Sequence, residues 1–275
     1  MKMMKKISVL FIILILVVGC GNSATDDAYG EKTATLDKDV IKVGMELQYP
    51  PFETKNTAGE PDGVSVQLAY ALGEYLDKEI EIVDTRYASL IPALETGNID
   101  IIISSMTVTP ERLERVDFSD EYTSAPLMVL AHIDSKVNSP EDINDPEVKI
   151  AVKSGTVAEI WAKTNAQEAT LINIEEEATA VLEVAQGKAD IFIYDPLSVI
   201  RHNQNYPDTT KAILEPLPNT KGWGIAMRKD EDELKERINA FLKEAKEDGT
   251  YDEIRQNYLQ DEIAEFEEYG LDFFF

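Results

Sequence analysis

Cysteine is nearly absent from this chain: Cys20 is the only one in 275 residues. That excludes a disulfide framework and a thiolate metal cluster. Histidine is almost as scarce. His132 and His202 lie far apart, so no metal-ligand spacing appears and imidazole acid–base chemistry has little to work with. Positive charge is also short. The 26 basic residues face 52 acidic ones, a formal charge of -26, which argues against nucleic acid and against electrostatic adhesion to a membrane. We read the acidity as the solubility of an exposed protein. Long hydrophobic runs are missing as well, since the longest, Ile7–Val18, is too short to span a bilayer.

That run follows Lys2, Lys5 and Lys6 and precedes Gly19-Cys20-Gly21-Asn22-Ser23. A basic head, a short apolar stretch and a small residue before the cut describe a secretory signal over residues 1–19. Its removal strips three lysines and no acids, leaving a charge of about -29. Val17-Val18-Gly19-Cys20 resembles a bacterial lipobox. The resemblance implies acylation of Cys20 with palmitate-type chains and an extracytoplasmic protein tied to the cell membrane. Residues 20–37 are polar and suit a flexible tether.

Past the tether, β-rich runs alternate with amphipathic helical runs, the mark of an α/β fold. Strands are expected at Val40–Met45, Glu79–Val83, Ile99–Ser104, Leu127–Ala131, Lys149–Val152, Leu171–Ile174, Ile191–Tyr194 and Gly222–Met227. The clearest helices are Val66–Leu76, with Leu68, Leu72, Tyr75 and Leu76 on one face, and Glu231–Lys246, with Leu234, Ile238, Phe241 and Leu242. Others are expected at Val157–Asn165, Ala178–Gln186, Pro196–Asn203 and Tyr251–Tyr258, and a further helix start at Ser139-Pro140. Two crossings of the chain between lobes imply a hinge and a cleft. The lobes are expected at residues 38–126 plus 223–275 and at residues 127–222.

The most informative stretch is Ser104-Ser105-Met106-Thr107-Val108-Thr109-Pro110-Glu111-Arg112. A buried strand ends in a small polar loop, then Thr109 caps a helix that begins at Pro110. A capping box would place Glu or Gln at residue 112, but the chain places Arg there. An arginine beside free backbone N–H groups is suited to a two-pronged grip on a carboxylate.

Four segments together resemble the solute-binding proteins of bacterial polar amino-acid ABC importers, extracellular solute-binding family 3. They are Tyr49-Pro50-Pro51-Phe52-Glu53, Leu90-Ile91-Pro92-Ala93-Leu94 with Gly97, Ser104–Arg112 running on to Ser119, and Val152-Lys153-Ser154-Gly155-Thr156. The resemblance implies a Venus-flytrap of two α/β lobes, each a mixed sheet flanked by helices, closing on one free L-amino acid. It implies no cofactor, a permease partner in the membrane and a monomeric protein. Residue by residue, it implies that Arg112 clamps the ligand α-carboxylate and that Ser105 and Thr107 add loop hydrogen bonds. Thr156 matches a second carboxylate donor at a helix N-terminus, and Asp195 matches the acceptor of the α-ammonium. Tyr49 and Tyr87 match the aromatic walls of the side-chain pocket.

Specificity follows from Glu46 and Lys153. As a pair they offer one acceptor and one donor to a carboxamide, which makes a glutamine-like ligand the first expectation. An unpaired Glu46 would instead suit lysine or arginine, and the aromatic walls also admit aromatic or apolar amino acids. Tyr194 and Val157 stand where glutamine binders carry His and Gly. Two other functions remain open: an enzyme, because the same fold carries dehydratases acting on cyclic precursors of phenylalanine, and a ligand sensor for a membrane partner. After Leu259, Asp261–Tyr269 reads as an acidic helix, and the rings of Phe273-Phe274-Phe275 are expected to pack on the first lobe.

Overall fold

The computed structural model describes residues 34–218 and 221–275, so the signal segment, Cys20 and most of the expected tether lie outside the described residues. The order of elements begins β1 (Val40–Met45), β2 (Thr54–Lys55), β3 (Pro61–Asp62), α1 (Val64–Leu76) and β4 (Glu79–Asp84). It continues through α2 (Leu90–Thr96), β5 (Ile101–Ile102), α3 (Pro110–Leu113) and β6 (Asp117–Phe118). The second series is β7 (Met128–His132), β8 (Lys149–Lys153), α4 (Val157–Asn165), β9 (Thr170–Ile174), α5 (Glu177–Ala185), β10 (Ile191–Tyr194), α6 (Pro196–Asn205) and β11 (Thr210–Ile213). The chain then returns through β12 (Ala226–Met227) to α7 (Asp232–Glu247), α8 (Thr250–Tyr258) and α9 (Gln260–Glu268).

These strands form two five-stranded sheets, ordered β4-β1-β5-β12-β6 and β11-β7-β10-β8-β9. In the first, β4, β1 and β5 run parallel while β12 is antiparallel to both β5 and β6. In the second, β9, β8 and β10 are parallel and β7 opposes both β10 and β11. Each sheet buries both faces, as the period-two alternation of strand side chains requires when helices cover both sides. Ile101, Ile103 and Met227 face α1 and α7, whereas Ile102 and Ala226 face α2. Likewise Val129, Ile150 and Ile191 pack with α4, and Leu130, Ala151 and Phe192 with α5. Two lobes result. Leu197 and Ile200 of α6, from the second lobe, share the core cluster of the first, so the lobes meet.

Several boundaries differ from the sequence expectations. The strand expected over Ile99–Ser104 is regular only at Ile101–Ile102; at its ends Asp100 N–H still donates to Lys42 O and Ile103 N–H to Gly44 O, and the Asp100 and Ser104 side chains accept from Lys42 N–H and Glu46 N–H. The expected helix at Ser139-Pro140 is a single 3-10 turn over Pro140–Asp142, since Asp145-Pro146 lies just beyond and disfavours helical backbone. In the expected strand Gly222–Met227, only Ala226 and Met227 join the sheet; Trp223 instead forms bridges to Thr107 and Thr123. The β2–β3 hairpin, α2 and β11 were not anticipated as elements.

The final rings pack on the first lobe. Phe274 stacks on Phe52 at 5.8 Å and meets Trp223 edge-on at 5.5 Å, and Phe275 stacks on Tyr251 at 5.1 Å. Among the described residues, no helix is long and apolar enough to cross a membrane.

Candidate functional site

The ends of β1, β5, β8 and β10 converge on a small cavity between the lobes, the usual place for a small-molecule site in a two-lobed fold. From the first lobe come Glu46, Tyr49, Glu53, Tyr87, Ser104, Ser105 and Thr107; from the second come Thr156, Val157, Tyr194 and Asp195. Trp223, on the returning crossing, closes one side.

Seven of the nine residues expected from the sequence therefore line this cavity: Glu46, Tyr49, Tyr87, Ser105, Thr107, Thr156 and Asp195. Lys153 and Arg112 stand one residue behind it. Lys153 is 1% exposed and donates to Glu46 Oε2, so the two form a buried ion pair across the lobes. Arg112 borders a neighbouring cavity that shares Tyr87 with the first. Thr109 caps α3 by accepting from Arg112 N–H at 3.2 Å, as its position before Pro110 predicts. The guanidinium then donates to Thr107 O at 2.5 Å, to Gly155 O at 2.9 Å and to Tyr87 Oη at 3.4 Å. It lies 5.7 Å from the Tyr87 ring centroid. At 4% exposure Arg112 is buried, yet among the described residues no carboxylate stands within ion-pair distance.

Asp195 is the mirror case. It ends β10, caps α6 by accepting from Ser198 N–H at 3.0 Å, and has no cation within ion-pair distance among the described residues. Burial raises its pKa, and the Glu177 carboxylate adds to that rise. Two buried groups of opposite charge thus stand at the cleft from different lobes, Asp195 lining it and Arg112 behind Tyr87, each hydrogen-bonded to neutral groups. Thr156 occupies the N-cap position of α4 without capping it, because its hydroxyl donates to Lys153 O at 2.7 Å. The Tyr49 hydroxyl is buried beside the Asp195 carboxyl.

Ser105 adopts a left-handed backbone at φ 48°, costly for a residue with a side chain. Its hydroxyl is tied to Glu53 Oε1 at 2.8 Å and Oε2 at 3.1 Å, and Ser65 donates to Oε1 as well. Burial pushes the Glu53 carboxyl up to about 8 despite those donors. Sequence reasoning quoted Glu53 within a motif but gave it no role. An acid directly after Pro-Pro-Phe, with Phe52 wholly buried, was the available signal. Trp223 and Ser104 were also missed as lining residues.

The family model for bacterial extracellular solute-binding proteins, family 3, matches residues 41–261. The chain belongs to this family. The ABC transporter glutamine-binding protein of Bacillus subtilis (strain 168) is 30% identical over 279 residues, covering 95% of this chain and all of that one. Among solved structures, an ancestral amino acid-binding protein described as a precursor of cyclohexadienyl dehydratase is 36% identical with a TM-score of 0.73, covering 82% of this chain and all of its own. Ancestral arginine-binding proteins bound to arginine and to glutamine are each 31% identical, with TM-scores of 0.73 and 0.72. They cover 81% of this chain and 99% and 98% of theirs. Membership places the protein outside the cytoplasm, and the shared fold is the two-lobed one described above.

Proposed function

We propose that this protein is the substrate-binding component of an ABC importer, capturing a free amino acid with a glutamine-like polar side chain and passing it to a membrane permease. What carries the reading is the pair of buried, uncompensated charges, Arg112 and Asp195, on opposite lobes. A zwitterion stripped of water needs a partner for each of its charges. Only a ligand bearing both charges bridges the lobes and so favours the closed form. Arg112 receives the α-carboxylate, with Thr107, Ser105 and Thr156 beside it, and Asp195 receives the α-ammonium. The side chain runs between Tyr49 and Tyr87 toward the Glu46–Lys153 pair. Because that pair is neutral overall, a carboxamide matches it better than a lone charge does. The B. subtilis relative's name agrees with that choice.

The protein acts as a monomer without cofactor or catalysis, tethered by a lipid on Cys20. Neither histidine lines the cavity, and His202 is bonded to Glu177 at 2.7 Å, so an enzyme on this fold would have to draw its acid and base from carboxyls such as Glu46 and Glu53. A thermal-shift screen against the twenty amino acids, cystine, ornithine and arogenate tests the reading, since a ligand that binds only the folded state raises Tm. Glutamine or a close polar analogue should give the largest shift, lost in Arg112→Ala. A response to arogenate alone, or to no amino acid, overturns it.

A further inference from the structure

This inference rests on the amino-acid-binding reading above and concerns the charge of the ligand side chain. Apart from tyrosines, five ionisable groups matter at the cleft among the described residues: Glu46, Glu53, Arg112, Lys153 and Asp195. Glu46 and Lys153 neutralise each other, and Arg112 and Asp195 match the two charges of a zwitterion. Glu53 is left over. It is 1% exposed, lines the cavity and meets only the hydroxyls of Ser65 and Ser105. Among the described residues no Lys, Arg or His comes within ion-pair distance of it. The charged and titratable groups around it are Glu46 at the end of β1, Lys153 of β8, Tyr87 before α2 and Tyr122 on the first crossing. The Tyr122 hydroxyl is itself buried, beside Ser65.

A buried carboxyl in that setting has two stable conditions: it keeps its own proton, or it sits opposite a cation. Lys153 is taken by Glu46, and among the described residues no other cation faces Glu53, so the ligand is left to supply one. We propose that Glu53 adjusts the pocket to its ligand, keeping its proton beside a neutral polar side chain and releasing that proton to solvent when a guanidinium or ammonium side chain enters. The balance is simple: a neutral carboxyl and a cationic ligand become an ion pair plus one proton in water. Burial holds the Glu53 carboxyl at about 8, so the proton is present at neutral pH before a cation arrives. Affinity for a cationic side chain then rises about tenfold per pH unit up to that value and flattens above it. A neutral ligand feels nothing of this from Glu53. Asp195, also raised by burial, meets the α-ammonium of every amino acid, so its contribution is common to all ligands and cancels between them.

The test compares L-arginine with L-citrulline, which share a shape and differ in charge, by calorimetry on the full chain. Titrations in phosphate and in imidazole at pH 6.5 give the protons released, and a series from pH 5.5 to 8.5 gives the affinity ratio. Arginine should release close to one proton more than citrulline, and the arginine-to-citrulline affinity ratio should climb about tenfold per unit. In Glu53→Gln the ratio should lose its pH dependence. If that variant does not fold, the wild-type proton difference decides. Equal proton release by the two ligands overturns the proposal, as does citrulline or glutamine binding with no arginine binding at any pH. If no free amino acid binds, the functional reading falls and takes this one with it.

Discussion

Lys153→Met removes the cation from the ion pair that joins the lobes. Lys153 is 1% exposed and Glu46 8% at their side chains, and Glu46 also accepts the Tyr87 N–H at 3.1 Å. Stripping one partner from so buried a pair costs about 3–5 kcal/mol, because the remaining charge has no solvent. In a single rigid core that sum would appear as lost folding stability. Here Glu46 belongs to one lobe and Lys153 to the other, so opening the hinge rehydrates Glu46 without unfolding either lobe. The cost should therefore fall on closure. Binding that requires closure weakens in proportion to the closed fraction, and 3–5 kcal/mol corresponds to about two to three and a half decades in Kd. Calorimetry would measure Kd, and urea unfolding of the ligand-free protein would measure stability. Adding Glu46→Gln should restore part of the closed population, and with it part of the affinity, by removing the orphaned charge. If Lys153→Met instead lowers urea stability by the full amount, and the second substitution recovers no affinity, the argument from the hinge is wrong.

Asp195→Asn keeps an oxygen for the Ser198 N–H and so keeps the cap, while removing the charge. Its melting temperature should stay near wild type while affinity falls by about 2–5 kcal/mol; Asp195→Ala should also lose about 1 kcal/mol of stability in urea, and normal binding by either variant refutes the assigned role. Gly155 has φ 78°, and a Cβ there would sit 2.9 Å from Ala88 Cα on the opposite lobe. Gly155→Ala should cost about 1–2 kcal/mol of backbone strain in stability, but a larger loss of affinity, because the collision exists only when the lobes meet; equal losses in urea and calorimetry would count against it. The Glu53 carboxyl rises from 4.5 to about 8 on folding, so between those values the native state binds more protons than the unfolded one. Ligand-free stability should therefore fall as pH rises across that window, by up to about 1.4 kcal/mol per unit, and Glu53→Gln should flatten the slope seen by urea unfolding at pH 5 and 7.5.

Much of the scaffold was legible because strand and helix periods are local. The alternation in Ile101-Ile102-Ile103 and the face of Leu68, Leu72 and Leu76 carry their own burial pattern, and the structure buries them accordingly. Thr109-Pro110 likewise announced α3, since capping and a fixed proline φ act within one turn. The Ile99–Ser104 strand is shorter than its apolar run because at its ends the Asp100 and Ser104 side chains take over backbone donors of the neighbouring strand, a long-range arrangement that period alone does not reveal. The site divides the same way. Residues on motif loops were found, while Trp223 was missed because its place depends on where the second crossing returns. Glu53 was missed for a different reason: its environment is built by Ser65 and Ser105, 12 and 52 positions away.

The uneven pairing of charges in the cleft has a physical sense of its own. Glu46–Lys153 favours closure whether or not a ligand is present, because each charge finds its partner on the other lobe. Arg112 and Asp195 oppose closure on their own account, because bringing the lobes together dehydrates two charges that remain satisfied only by carbonyls, a hydroxyl and a helix N-terminus. A switch needs terms of both signs. With the first pair alone the lobes would close without cargo, and with the second alone no ligand could draw them together at useful concentration. On the proposed reading, a zwitterion reverses the second term and leaves the first unchanged, so the differential affinity for the closed form comes from Arg112 and Asp195.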